Sequence, residues 1–107
     1  MPAKIIAVDF DGCLCENKYP DIGIPIYATV FRLKQEKENG ARLILWTCRA
    51  KERLTAALEW CAKLDIQFDA VNENLPDILA AYDGDSRKIY ADEYWDDKAV
   101  RVPEETP

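Results

Sequence analysis

The chain of 107 residues has no histidine, a single serine (Ser86), one methionine and four glycines. Without imidazole there is no Ser-His-Asp or Cys-His relay, no imidazole general base and no histidine-bearing zinc site. Long hydrophobic runs are also missing. The apolar stretches at 5–8 and 43–46 fall far short of the roughly 20 residues that cross a bilayer. The opening 1–4 lacks the apolar core of a secretion signal, so the expected setting is cytoplasmic and without a membrane partner. In that setting Cys13, Cys15, Cys48 and Cys61 read as reduced thiols, and a Cys-x-Cys pair alone is weak evidence for metal. Basic residues are outnumbered, 14 against 20 acidic ones, for a net charge of −6. That balance argues against bulk nucleic-acid binding by counterion release, although a local basic patch could still hold a phosphorylated nucleic-acid end. Catalysis, if present, must rest on carboxylate, lysine, threonine or cysteine.

Half of the residues are apolar (49%) and 32% are charged, the mixture of a folded domain with a core of its own. The length suits one domain over 1–107. Residues 4–9 form a continuously apolar, β-branched run that suits a strand buried on both faces. The stretch 12–25 has two glycines, two prolines and no clear periodicity, and reads as a loop or flap over a site. Ile26, Val30 and Leu33 share one face of a helix that ends at Asn39-Gly40. A second buried strand covers 41–46. Leu54, Leu58, Cys61 and Leu64 then mark an amphipathic helix, with Glu52 in its first turn. A third strand is expected at 66–71, a short helix from Asn74 and Pro76 to about Tyr82, and a last strand over 88–95; the tail 102–107 is expected to fray. Alternating strands and helices imply an α/β fold, a three-layer sandwich around an open, mostly parallel, Rossmann-like sheet with no separate cap domain.

Ligands of such sheets bind outside the carboxyl ends of the strands. Those ends carry Asp9 and Asp11, then Thr47, Cys48 and Arg49, then Asp96 and Asp97, with Lys88 upstream. Two carboxylates about 4 Å apart repel by about 4 kcal/mol at an effective dielectric of 20, so several converging ones need a cation or a proton. Oxygen ligands without thiolate or imidazole select Mg²⁺. The N–H groups around Phe10 and Gly12 are candidates for an oxyanion nest. Each residue also has a plainer use. Asp9 and Asp11 could cap a turn, Thr47 could cap a helix, and Lys88 could be a solvated lysine. Arg49 could clamp substrate phosphate or pair with a neighbouring acid. Asp92 competes with Asp96 as the strand-terminal metal ligand.

The order Asp-x-Asp-Gly, Thr, Lys, Asp-Asp resembles the haloacid-dehalogenase-like superfamily. Ala-Val-Asp-Phe-Asp-Gly (7–12), Leu-Ile-Leu-Trp-Thr-Cys-Arg (43–49) and Tyr-Trp-Asp-Asp (94–97) look like its minimal, capless, Mg²⁺-dependent phosphatases of bacteria and phage. The resemblance spans roughly residues 4–97. It implies a phosphomonoester hydrolase in which Asp9 attacks phosphorus and Asp11 serves as acid and then base. It further implies that Thr47 holds a phosphoryl oxygen and Lys88 neutralises phosphate. Mg²⁺ would sit on Asp9, Asp11 (through its main-chain carbonyl), Asp96 and Asp97. Cys13 stands where relatives usually have Thr or Val. A short flap leaves the site open to a bulky phosphorylated substrate, and a thinly covered sheet edge leaves room for a homodimer. Two rivals remain: a relative that binds phosphate or a partner without turnover, and a phospho-receiver, which would need an accepting aspartate where Thr47 and Asn72 stand.

Overall fold

A computed structural model describes residues 3–82 and 84–104. Its elements run β1 (Ile5–Val8), β2 (Cys15–Lys18), β3 (Asp21–Pro25), α1 (Tyr27–Glu38), β4 (Arg42–Leu45), α2 (Lys51–Lys63), β5 (Ala70–Val71), α3 (Pro76–Ala81) and β6 (Glu93–Trp95). Four strands form one sheet in the order β5-β4-β1-β6, and every neighbouring pair is parallel. The fold is therefore α/β with a parallel sheet, compatible with a Rossmann-like layout. Among the described residues no helix is long and apolar enough to cross a membrane.

β1 is apolar at every position because it is central: β4 flanks it on one side, β6 on the other, and both faces are covered. Ile6 and Val8 join Leu43 and Leu45 in one buried layer with Val30 and Leu33 of α1 and with Ala57 and Cys61 of α2. The alternate residues Ile5, Ala7 and Ile44 point into a second layer with Leu75, Ile89 and Ala91, against which Ile78 of α3 packs. Period-two alternation thus divides an all-apolar strand between two cores. Gly40, at φ +95°, turns the chain out of α1 while its N–H donates to Lys37 O at 3.0 Å.

Three segments depart from the expected pattern. The stretch 12–25 is not an unstructured loop. After a turn it folds into the antiparallel β2–β3 hairpin. Its strand character escapes periodicity because Glu16, Asn17 and Lys18 are all exposed, leaving Cys15 as the one buried residue of β2. Gly23 is required there: a Cβ would come within 2.2 Å of Glu16 O. The strand expected at 66–71 pairs only over Ala70–Val71, and the last strand only over Glu93–Trp95. The approach to β6 is held instead by side chains. Buried Asn74 donates from Nδ2 to Asp85 Oδ1 at 2.7 Å and accepts the Tyr90 N–H at 2.7 Å. Of the tail, 105–107 lies outside the described residues, and Arg101, Val102, Pro103 and Glu104 are exposed and irregular.

Leu33 is fully buried between α1 and the sheet, whereas Phe31 on the same helix is 65% exposed. Leu33→Ala should lower unfolding free energy by about 3 kcal/mol in urea titrations, and Phe31→Ala by less than about 0.5 kcal/mol.

Candidate metal and phosphate site

The parallel sheet delivers three chain segments to one end. β1 runs into Asp9, and the Asp9 N–H donates back to Trp95 O at 2.9 Å, so β1 and β6 leave the sheet side by side. β4 lies on the other flank, with the Trp46 N–H donating to Val8 O at 2.9 Å and Thr47 following. Asp9, Asp96 and Asp97 each offer a carboxylate oxygen, and these oxygens lie within 4.8 Å of one another. Gly12, at φ +81°, makes room for this cluster, because a Cβ there would sit 2.4 Å from Asp97 Oδ2. Burial pushes the Asp9 carboxyl up to about 6, the charges of Asp96, Asp97 and Asp11 push the same way, and the Phe10 N–H, 2.7 Å from Oδ1, opposes them. An all-oxygen donor set strained by its own like charges fits a hard divalent cation.

Asp92 lies at the opposite end of the sheet. Its Oδ2 accepts the Ile5 N–H at 2.7 Å, and its own N–H donates to Ile5 O at 2.8 Å, so it caps the start of β1. Asp96 and Asp92 are thus separated by the length of β6, and only Asp96 reaches Asp9.

Asp11 does not bring its carboxylate to the cluster. Both oxygens accept from Arg49, Oδ2 from Nε and Oδ1 from Nη2, each at 2.8 Å. Arg49, with its side chain 1% exposed, also donates to Pro20 O, Asp21 O and Arg53 O, and lies over the rings of Phe10 and Tyr19 at 5.0 and 5.1 Å. Every guanidinium N–H is engaged. Of the two uses open to Arg49 the fold takes the ion pair, and the phosphate clamp is set aside. Of the N–H groups around Phe10 and Gly12, that of Phe10 goes to Asp9 and that of Gly12 to Cys15 O at 2.8 Å.

Thr47 and exposed Cys48 line a cleft of about 390 Å³ together with Asp9, Asp11, Asn17, Tyr19, Arg49 and Lys98. The Arg49 N–H donates to Thr47 Oγ1 at 3.1 Å, and the Thr47 N–H to Asn72 Oδ1 at 2.8 Å, so the threonine is fixed while its hydroxyl proton stays available. Lys88 lies elsewhere, its Nζ 5.8 Å from the centre of the Tyr94 ring. Sequence reasoning missed Lys98, although it directly follows the Asp-Asp pair. It also missed the hairpin residues Asn17 and Tyr19, which no periodicity marks. Burial pushes the Cys13 and Cys61 thiols up to about 12 and raises Cys15, so these thiols stay protonated and are poor nucleophiles at neutral pH.

A solved structure of a conserved protein from Bacteroides thetaiotaomicron is 40% identical to this chain, with a TM-score of 0.81 over 96% of this chain and 84% of that one. The chain belongs to that protein's family. Its α/β architecture is therefore shared with the Bacteroides protein along nearly the full length of both. No protein-family model matches the chain, and no curated protein does.

Asp9 links this geometry to stability. Its folded-state value of about 6 lies above the ordinary 3.8, so the native state holds a proton that the unfolded chain has already released. The stabilisation is complete below about 3.8 and is lost as pH rises through about 6. In metal-free protein at pH 8, Asp9→Asn should therefore be more stable than the parent by about 2 kcal/mol, with the difference vanishing at pH 4, as read by denaturant titration at both pH values.

Proposed function

We propose that the protein is a Mg²⁺-dependent phosphomonoester hydrolase of the haloacid-dehalogenase-like type, working through an aspartyl-phosphate on Asp9. The observation that carries this reading is the meeting of Asp9, Asp96 and Asp97 at the carboxyl ends of adjacent parallel strands, with Thr47 in the cleft on the same side. Asp9, Asp96 and Asp97 would hold Mg²⁺, with the main-chain carbonyl of Asp11 as a further donor. Bound there, Mg²⁺ would neutralise phosphoryl charge and orient the group for in-line attack.

The chain's own residues divide the work. An Asp9 oxygen forms a bond to phosphorus as the bond to the substrate oxygen breaks, and the departing oxygen takes a proton from Asp11. Water then attacks phosphorus, gives its proton to Asp11, and frees Asp9 and inorganic phosphate. For either transfer one Asp11 oxygen must swing off Arg49, so Arg49 sets where the acid rests. Thr47 donates its hydroxyl to a phosphoryl oxygen. Asn17 and Tyr19 of the β2–β3 hairpin line the cleft without a cap domain over it, and an open cleft of this kind favours a bulky phosphorylated substrate. The engagement of both Asp11 oxygens by Arg49 favours a second reading, a phosphate-binding relative without turnover.

Release of phosphate from p-nitrophenyl phosphate decides between them. The hydrolase reading expects Mg²⁺-dependent turnover that falls at least about 10³-fold in Asp9→Asn. Asp96→Ala should weaken Mg²⁺ by at least about tenfold, while Asp92→Ala leaves Mg²⁺ affinity unchanged. Phosphate binding with no hydrolysis across a phosphomonoester panel would establish the non-catalytic reading.

A further inference from the structure

Beside the acids lies a second depression, separate from the cleft that holds Thr47. It is a groove of about 380 Å³ between α1 and the end of β6, and Gly12, Thr29, Arg32, Trp95, Asp96 and Asp97 line it. Its size is within the usual range for small-ligand sites. Asp11 and Gly12 are consecutive, the first on the cleft and the second on the groove. A leaving oxygen protonated by Asp11 therefore stands at the crest between the two.

Arg32 lies over the Trp95 ring, its guanidinium carbon 5.0 Å from the centroid. The ring is itself held, since Trp95 Nε1 donates to Glu93 Oε1 at 3.0 Å. The other Glu93 oxygen pairs with Lys4 at 3.0 Å, so Glu93 is satisfied without Arg32. Nor does Arg32 neutralise the acids of the groove: it is exposed and makes no ion pair among the described residues. A guanidinium held through its face keeps its planar fork of N–H donors for an arriving anion. Arg49 is the opposite case, its donors already spent on Asp11 and backbone carbonyls.

We propose that the Arg32–Trp95 groove binds a second acid group, a carboxylate or a phosphate, carried by the leaving-group part of the substrate. The proposal rests on the hydrolase reading above for what is cleaved, though not for the binding of a two-ended anion. The substrate class is then a phosphomonoester with an acid group at each end. Its phosphoryl end meets Asp9, its other end reaches the Arg32 fork, and Trp95 flanks the stem. A phosphate ester of a neutral alcohol leaves Arg32 unengaged, and selectivity comes from that missing charge-assisted pair.

The test uses the full chain with Mg²⁺ and non-hydrolysable probes, so that binding is read whether or not the protein turns over. Calorimetry compares alkylphosphonates of increasing chain length with the same chains ending in a carboxylate or in a second phosphonate. At one length an acid-ended probe should bind at least about tenfold tighter than its alkyl counterpart, and the stronger of the two endings identifies the acid. Arg32→Ala should bring that ratio within twofold of unity, and Arg32→Lys should keep part of it, since the charge returns without the fork. Arg32 is exposed, so both variants should unfold in urea at the parental midpoint. Equal affinity for acid-ended and alkyl probes at every length, or a preference that survives Arg32→Ala, would overturn the proposal. A chain that binds none of the probes would overturn it too, while turnover of p-nitrophenyl phosphate by that chain would leave the hydrolase reading standing. An Arg32-dependent preference in a chain that hydrolyses no phosphomonoester would support the groove and remove the hydrolase reading.

Discussion

Three carboxylates from two distant parts of the chain, Asp9 on one side and Asp96 with Asp97 on the other, meet within 4.8 Å, and no lysine or arginine among the described residues pairs with any of them. Such an arrangement opposes folding on electrostatic grounds, and it adds to the burial that pushes the Asp9 carboxyl up to about 6. The parallel sheet forces the encounter: β1 and β6 are neighbours, so whatever follows them must emerge together. Gly12 completes it by leaving the space that Asp97 occupies. The stability lost at one end of the sheet is recovered by the two apolar layers that enclose β1.

Arg49 performs the complementary task. It is the largest fully buried side chain, and a guanidinium at that depth is tolerated because every N–H has an acceptor. It joins three parts of the chain: Asp11 after β1, the carbonyls of Pro20 and Asp21 in the hairpin turn, and the start of α2 through Arg53 O. The hairpin and Asp11 therefore share one anchor, and displacement of either is felt by the other. Both sit beside the cleft, which makes Arg49 the residue through which the cover of the site and its candidate acid are coupled.

Much of this was legible in the amino-acid order. β1, β4, α1 and α2 announce themselves through continuous apolar runs and a 3.6-residue stripe, because each strand is buried and each helix lays an apolar face on the sheet. The acids were legible because a strand-terminal carboxylate in a parallel sheet has few other reasons to be there. The hairpin was hidden, since one face of it is solvent and its polar residues break the alternation. The short extent of β6 was hidden as well, because Asn74 takes over the Tyr90 N–H that ladder pairing would otherwise engage. The partner of Arg49 was undecidable from order alone: a guanidinium suits phosphate and carboxylate equally, and only the fold brings Asp11 within 2.8 Å. Lys88 and Lys98 illustrate the same limit, since spacing along the chain does not tell which lysine faces the cleft.

The most direct measurement is an NMR titration of the Asp9 side-chain carboxyl with and without saturating Mg²⁺. Burial of Asp9, reinforced by the unneutralised acids beside it, predicts a midpoint near 6 in metal-free protein and a fall below the ordinary 3.8 once Mg²⁺ is bound. A midpoint near 3.8 without metal, unmoved by Mg²⁺, would contradict the claim that these acids assemble around a shared cation.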